Sequence, residues 1–232
     1  MEWNPVQKPA EIAESRLLEA ILSGHFPINT SLPGERDLAE QLGVTRPTLR
    51  ETLQRLARDG WIEIQHGKPT RVRDYWSEGS LAVLAVLAQS PTHQSPDFVT
   101  HLLDLRVLLA PAYARQAINN SPAEVADLLE QNARLDDTPP AFARADWELH
   151  HLLTQRASNP VFRMLLNSFQ ELYILMGEQY FSFPECRRSS RAYYANLLTC
   201  ARAGAECDAE ALTRHVMEES LTLWEKMKEE LL

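Results

Sequence analysis

The sequence GVTRPTLRETLQRLARDGW, Gly43–Trp61, predicts a helix that gathers four arginines, although the chain as a whole is acidic. Leucines recur at helical spacing along it, and Thr45 is a residue type that caps helix N-termini. Pro47 is tolerated in the first turn of a helix. Arg46 and Arg50 lie off the leucine stripe, near the start of the helix. They therefore face either solvent or an anionic partner.

The flanking segments complete a recognisable architecture. Arg36–Leu42 predicts a short helix that ends at Gly43, so two helices meet at a turn of a few residues. After Gly60 the apolar period changes to two, and the run HGKP at His66–Pro69 interrupts it, which predicts a β-hairpin. An earlier helix begins at Ala10. The order helix, helix-turn-helix, hairpin is that of a winged helix.

The charge distribution agrees with a polyanion partner. The 232 residues carry a formal net charge of −9, yet residues 42–73 hold seven basic and three acidic side chains. An acidic protein binds a polyanion if it presents only such a patch. A solvated helix face also collects charges. The capped helix, the turn, the hairpin and the basic Lys68 at the hairpin tip together favour DNA.

The rest of the chain predicts helices and no strand. We expect a winged helix-turn-helix domain over residues 1–76, a linker over 77–80, and an all-helical domain of about seven helices over 81–232. The fold class is therefore mainly α, with one β-hairpin wing.

Prolines mark the expected breaks within the helical part. Pro111 should kink or end a long amphipathic helix that starts near Phe98. Asn159 and Pro160 predict the start of another helix, which should run to Tyr180.

Several classes of protein are disfavoured. There is no basic and apolar signal segment, and the longest apolar run, Leu81–Ala88, is far short of the roughly 20 residues that span a bilayer. Three cysteines without a CxxC pattern predict reduced thiols in a cytoplasmic protein. No GxSxG, HExxH, P-loop or dinucleotide-binding motif is present, so we do not expect an enzyme. An enzyme with an appended DNA-binding module is the alternative from another class.

The segment LPGERDLAEQLGVTRPTLRETLQRLARDGWIEIQHGKPTRV, Leu32–Val72, resembles the winged-helix domain of GntR-type bacterial regulators. It is most similar to the FadR subfamily, which regulates fatty-acid metabolism, and the resemblance extends over essentially the whole chain. It implies DNA contacts from the helix-turn-helix and the wing tip. The matching positions are Arg36, Thr45, Arg46, Thr48, Arg50, His66, Gly67 and Lys68. Arginine suits guanine edges and phosphates, and the acidic Glu35 is expected to orient an arginine.

The resemblance also implies an effector and an assembly state. Regulators of this subfamily bind long-chain acyl-CoA in the helical domain, which releases the operator. The matching positions are Arg106, Tyr180, Ser220 and Trp224. Arg106 lies on an apolar helix and needs an anionic or polar partner, for which an internal salt bridge would also serve. One winged helix makes few base contacts, so we expect a homodimer on a palindromic operator.

A metal site is the alternative for the helical domain. Relatives in the superfamily sense carboxylates through a metal held by one Asp and three His. Asp146 and His150 are four residues apart, which places them on one helix face at ligand spacing. The third position falls near Tyr194, where there is no histidine, and the fourth falls beside His215. The set is incomplete, and an ordinary Asp–His pair is the simpler interpretation, so no cofactor is expected.

Overall fold

The computed structural model describes residues 8–65, 67–90 and 97–231. They form two compact units that divide between residues 93 and 94. The described part of the first unit contains α1 (Pro9–Leu22), α2 (Glu35–Leu42), α3 (Arg46–Asp59), β1 (Ile62–Glu63), β2 (Arg71–Val72), α4 (Tyr75–Glu78) and α5 (Leu81–Ala88). The described part of the second contains α6 (Phe98–Asn120), α7 (Pro122–Asn132), α8 (Pro139–Arg156), α9 (Pro160–Asn167), α10 (Gln170–Tyr180), α11 (Pro184–Ala203) and α12 (Glu206–Leu231). The mainly helical fold class is confirmed.

The helix-turn-helix forms where the sequence predicts it. Gly43 ends α2 in the left-handed region at φ 68°, a conformation that glycine adopts without strain. Thr45 then caps α3, because its Oγ1 accepts a hydrogen bond of 3.3 Å from the backbone N–H of Thr48. The apolar face of α3 is buried against α1, with Leu49 and Leu56 fully inaccessible to solvent.

The wing is a short antiparallel hairpin. Ile62 pairs with Val72, and Glu63 pairs with Arg71. Ile62 and Val72 are fully buried, so one face of the hairpin closes the core of the first unit. The other face carries Glu63, whose carboxylate accepts a hydrogen bond from Arg71.

The apolar run Leu81–Ala88 forms α5 and belongs to the first unit by its packing. Ser80 connects it to α3: its hydroxyl donates to the carbonyl of Asp59 at 3.0 Å and accepts from the backbone N–H of Ala82 at 3.2 Å. The predicted linker, residues 77–80, covers the end of α4 and the first cap of α5. In the described part of the chain, no helix is long and apolar enough to cross a membrane.

The second unit is built around an antiparallel pair, α6 and α12. Lys228 near the end of α12 donates to Asp97 at the start of α6, 2.7 Å away. Near the other end, Arg115 donates to Glu210 at 3.1 Å. The remaining helices pack around this pair and bury a core rich in aromatic and small residues.

Of the two outcomes expected at Pro111, an end of the helix does not occur, because Pro111 lies buried inside α6. A second expectation, on the helix that starts at Asn159, is wrong. The helix from Asn159 does not run unbroken to Tyr180. It stops at Asn167, because the next two N–H groups bond three residues back, in the tighter 3₁₀ pattern, and a new helix begins at Gln170.

Gly79 is sterically required between α4 and α5. A Cβ on this residue would lie 2.2 Å from the carbonyl oxygen of Tyr75 and 3.2 Å from a methyl group of Val83. We predict that Gly79→Ala lowers the free energy of unfolding by about 1–3 kcal/mol, because backbone must shift to relieve the overlap. Gly34→Ala is the matched control, since a Cβ there meets no heavy atom within 4 Å. Equal losses in urea denaturation of the two variants would contradict the prediction.

Candidate functional site

The start of α3 presents free guanidinium groups. Arg46 and Arg50 are both exposed, and Arg46 makes no ion pair with any described residue. Arg50 donates through Nε to Glu35 at 2.8 Å, and its two terminal nitrogens have no partner in the described part of the chain. Glu35 thus orients an arginine, as expected, and leaves free the fork that binds two acceptors at once.

The other predicted DNA-binding residues lie on α2, at the start of α3 and on the wing. Arg36 on α2 is exposed and, among the described residues, its side chain bonds to the adjacent Asp37 alone. The hydroxyls of Thr45 and Thr48 lie 2.9 Å apart at the helix start. Gly67 has φ 72° at the wing tip, followed by the exposed Lys68. His66 lies outside the described residues.

The second unit contains a cavity of about 150 Å³. Its walls come mainly from α6, α9, α10 and α12 and are mostly leucine, phenylalanine and other apolar side chains. All four predicted effector residues line it: Arg106, Tyr180, Ser220 and Trp224. The α6 wall extends from Val99 to Tyr113, which at 1.5 Å per residue is about 21 Å. The cavity therefore offers a long apolar surface with a few polar groups.

A buried ion pair forms the polar part of the wall. Arg106 donates through Nη2 to Oδ2 of Asp146 at 2.9 Å, and its side chain is 19% exposed. Asp146 also accepts hydrogen bonds from Tyr173 at 2.6 Å and from Tyr194 at 2.9 Å. Burial alone would raise the pKa of this carboxyl, but Arg106, His150 and the two tyrosines outweigh it and lower the pKa.

His150 is fully buried beside this pair and stays neutral. Burial, reinforced by the charge of Arg106, lowers its pKa from 6.5 to about 3. Arg106 Nη2 donates to its Nε2 at 2.7 Å, so its other nitrogen carries the proton and donates to the hydroxyl of Tyr113, also at 2.7 Å. The histidine thereby links an arginine and a tyrosine, both of which line the cavity.

Three of the cavity-lining polar groups are buried without a hydrogen-bond partner in the described part of the chain. They are Nε of Arg106, the hydroxyl of Tyr180 and Nε1 of Trp224. Ser220 and Cys186 lie near enough to Tyr180 to affect its pKa, which burial raises, but neither is at hydrogen-bonding geometry. An unsatisfied buried donor costs about 1–3 kcal/mol, which an acceptor on a ligand would offset.

The structure does not assemble the alternative metal set. Asp146 and His150 already have protein partners on the atoms that would coordinate an ion. His215 is exposed on α12, and no group of three His, Cys, Asp or Glu side chains in the described ranges is placed to hold a metal. The expected third position, Tyr194, does face Asp146, but through a hydrogen bond.

Sequence reasoning missed two members of this network. Tyr113 follows Arg106 by seven residues, two helical turns, so its position on the same face was available from the spacing. Tyr173 gives no such signal, because α10 reaches Asp146 only through the tertiary fold.

Two family profiles together cover the chain from residue 9 onward. The profile of bacterial regulatory proteins of the gntR family matches residues 9–72, and the FadR C-terminal domain profile matches residues 73–232. The chain belongs to the GntR family, in its FadR branch. Members of this family bind operator DNA, so the basic surface on α3 belongs to a DNA-binding regulator.

Relatives support the same assignment for this FadR-type chain. A fatty acid metabolism regulator protein of Shewanella sp. (strain MR-4) is 40% identical over 223 residues, which cover 96% of this chain and 92% of that protein. Its counterpart in Pectobacterium atrosepticum is 38% identical over 222 residues, covering 96% and 93%. The FadR-type chain is thus a transcriptional regulator of fatty-acid metabolism and not an enzyme, which confirms both predictions.

A solved structure supports the fold alone. The structure whose title names Lar of Listeria monocytogenes superposes with a TM-score of 0.52 at 17% identity, covering 95% of this FadR-type chain and 98% of that one.

His150 makes the stability of this FadR-type regulator depend on pH. Between pH 3 and 6.5 the unfolded chain binds a proton at His150 that the folded protein does not, so the free energy of unfolding rises with pH. The slope from this one group reaches about 1.4 kcal/mol per pH unit and vanishes above pH 7. We predict that His150→Phe flattens the slope, measured by urea denaturation from pH 4.5 to 7.5. Parallel pH profiles for the two proteins would contradict it.

Proposed function

We propose that this regulator binds a palindromic operator as a cytoplasmic homodimer and is released by long-chain acyl-CoA held in the cavity. The DNA-binding domain is residues 1–76, and the effector domain is residues 81–232, of which α5 packs with the first unit. The contacts to DNA come from Arg36, Thr45, Arg46, Thr48, Arg50, His66, Gly67 and Lys68. The effector is bound by Arg106, Tyr180, Ser220 and Trp224.

The DNA contacts are supported by the chemistry at the start of α3. A guanidinium fork donates to O6 and N7 of guanine in the major groove, and Arg50 keeps its fork free while Glu35 fixes its Nε. Arg46 is one turn earlier, at the positive end of the helix dipole, where phosphates bind. Lys68 at the wing tip is exposed and suits a neighbouring phosphate.

One observation carries the effector proposal: an apolar cavity whose wall contains buried donors without partners. An acyl chain would pack against the apolar wall along α6. Oxygen atoms of the same ligand would accept hydrogen bonds from the buried donors that lack partners. A small carboxylate, the runner-up effector, would place its charge against a mostly apolar wall, and the metal of that alternative lacks free ligand atoms at Asp146 and His150.

The size of the cavity supports a regulatory role. Ligand pockets typically measure about 300–1,000 Å³, so we expect a cavity of about 150 Å³ to enlarge around a long acyl chain. A ligand that binds only an enlarged state shifts the population towards that state. A tenfold loss of operator affinity needs only about 1.4 kcal/mol of difference between the two states.

We predict that Arg46→Ala and Arg50→Ala each weaken operator binding at least tenfold, because each removes a base or phosphate contact from both halves of a dimer. Fluorescence anisotropy on a palindrome selected from random oligonucleotides measures the affinity. Arg58→Ala is the matched control, since Arg58 is an exposed arginine at the opposite end of the same helix. An equal loss of operator affinity in all three variants would mean that only the loss of positive charge matters, and it would overturn the assignment.

Oleoyl-CoA should weaken operator binding at least tenfold, whereas citrate and Zn²⁺ should not, since neither has an apolar surface to pack against the wall. Leu166→Trp, which fills the cavity from α9, should abolish the response and keep operator affinity. Val161→Trp is its control, because Val161 lies on the exposed side of α9, outside the cavity lining. A normal response in Leu166→Trp would place the ligand elsewhere.

A further inference from the structure

The cavity wall around Arg106 holds donors in excess of acceptors. A guanidinium has five N–H donors, and Arg106 uses two of them, both on Nη2, for Asp146 and His150. Its Nε–H makes no hydrogen bond with the described residues. The guanidinium also lies close enough to the hydroxyl of Tyr113 to oppose the rise that burial causes in the pKa of that tyrosine. The described residues therefore supply no acceptor for the Nε–H donor of Arg106.

Tyr113, which His150 connects to Arg106, adds one more donor. Because arginine only donates, His150 must accept at Nε2 and donate from Nδ1, which makes the hydroxyl oxygen of Tyr113 an acceptor. The hydroxyl hydrogen of Tyr113 is then left for another partner. His150 thus donates to the hydroxyl oxygen of Tyr113 and leaves the hydroxyl hydrogen available to a ligand.

The charges around Arg106 already balance. The positive Arg106 is paired with the negative Asp146, and His150 is neutral. Adding a carboxylate would bury a net negative charge, which is costly without a further cation. Adding an uncharged oxygen acceptor would satisfy the donors and leave the charge balance intact.

We propose that Arg106 and Tyr113, positioned by His150, form a subsite for an uncharged carbonyl oxygen, the thioester carbonyl of the acyl-CoA ligand. The inference rests on the proposed acyl-CoA function and adds what distinguishes a thioester from a free fatty acid. Arg106 and Tyr113 contact the ligand oxygen, and His150 acts through them as a positioning residue.

The test compares two ligands that differ only in this oxygen: oleoyl-CoA, and the thioether analogue in which the carbonyl is replaced by a methylene group. Isothermal titration calorimetry should show that the wild-type dimer binds the thioester about tenfold more tightly. Free oleate should bind more weakly than both. Equal affinity for thioester and thioether, or tighter binding of oleate, would overturn the subsite.

Tyr113→Phe isolates the hydroxyl. This variant should bind the thioether within about twofold of wild type and prefer the thioester by only about threefold. Tyr193→Phe is the matched control, because that buried tyrosine bonds to Thr213 and does not line the cavity; it should keep the tenfold preference. If Tyr113→Phe weakened both ligands equally, the hydroxyl would have a structural role only and the proposal would fail.

His150 is tested by two substitutions. His150→Phe should lose most of the thioester preference, whereas His150→Gln should keep part of it, since an amide also accepts on one atom and donates from another. Identical preferences in both variants would remove His150 from the subsite. If the wild-type protein binds neither CoA ligand, the proposed effector is wrong, and so is the subsite. If it binds both CoA ligands equally, only the subsite is wrong.

Discussion

The buried carboxylate of Asp146 is the constraint around which the helical unit is arranged. A carboxylate deep in a protein is tolerated only with charge and hydrogen-bond partners, and Asp146 has three. Arg106 comes from α6, Tyr173 from α10 and Tyr194 from α11, while Asp146 itself lies on α8. One charged group therefore fixes the relative positions of four helices, and removing its partner Arg106 would leave a buried charge that costs about 3–5 kcal/mol.

The same arrangement explains how a motif with metal-ligand spacing serves another purpose. Asp146 and His150 share a helix face at the spacing of metal ligands, and a single guanidinium nitrogen donates to both. Arg106 thus supplies the positive charge that such a pair requires. Unlike an ion, the guanidinium has hydrogens left over for a ligand, so the network supports recognition in the cavity.

The sequence predicts the structure best where the conformation depends on residues that are close together in the chain. Thr45 capping α3 and Gly43 ending α2 follow from residue type and spacing alone. The break between α9 and α10 leaves no such mark, and Pro111 is absorbed by packing that sequence does not reveal. The pairing of Arg106 with Asp146, 40 residues away, was one of several partners that the sequence allowed.

The walls of the cavity are not equally resistant to enlargement. The pair α6 and α12 shares a buried core, so it separates only at high cost, whereas the exposed ion pairs towards its two ends add little. Helix α9 has no buried residue, and its Met164 is 66% exposed. Local opening is easiest where few apolar contacts are lost. A longer acyl chain would therefore displace α9 before α6. Arg106 and Tyr113 on α6 would then stay in place to bind the ligand oxygen, while the apolar wall formed by α9 moves to admit the chain.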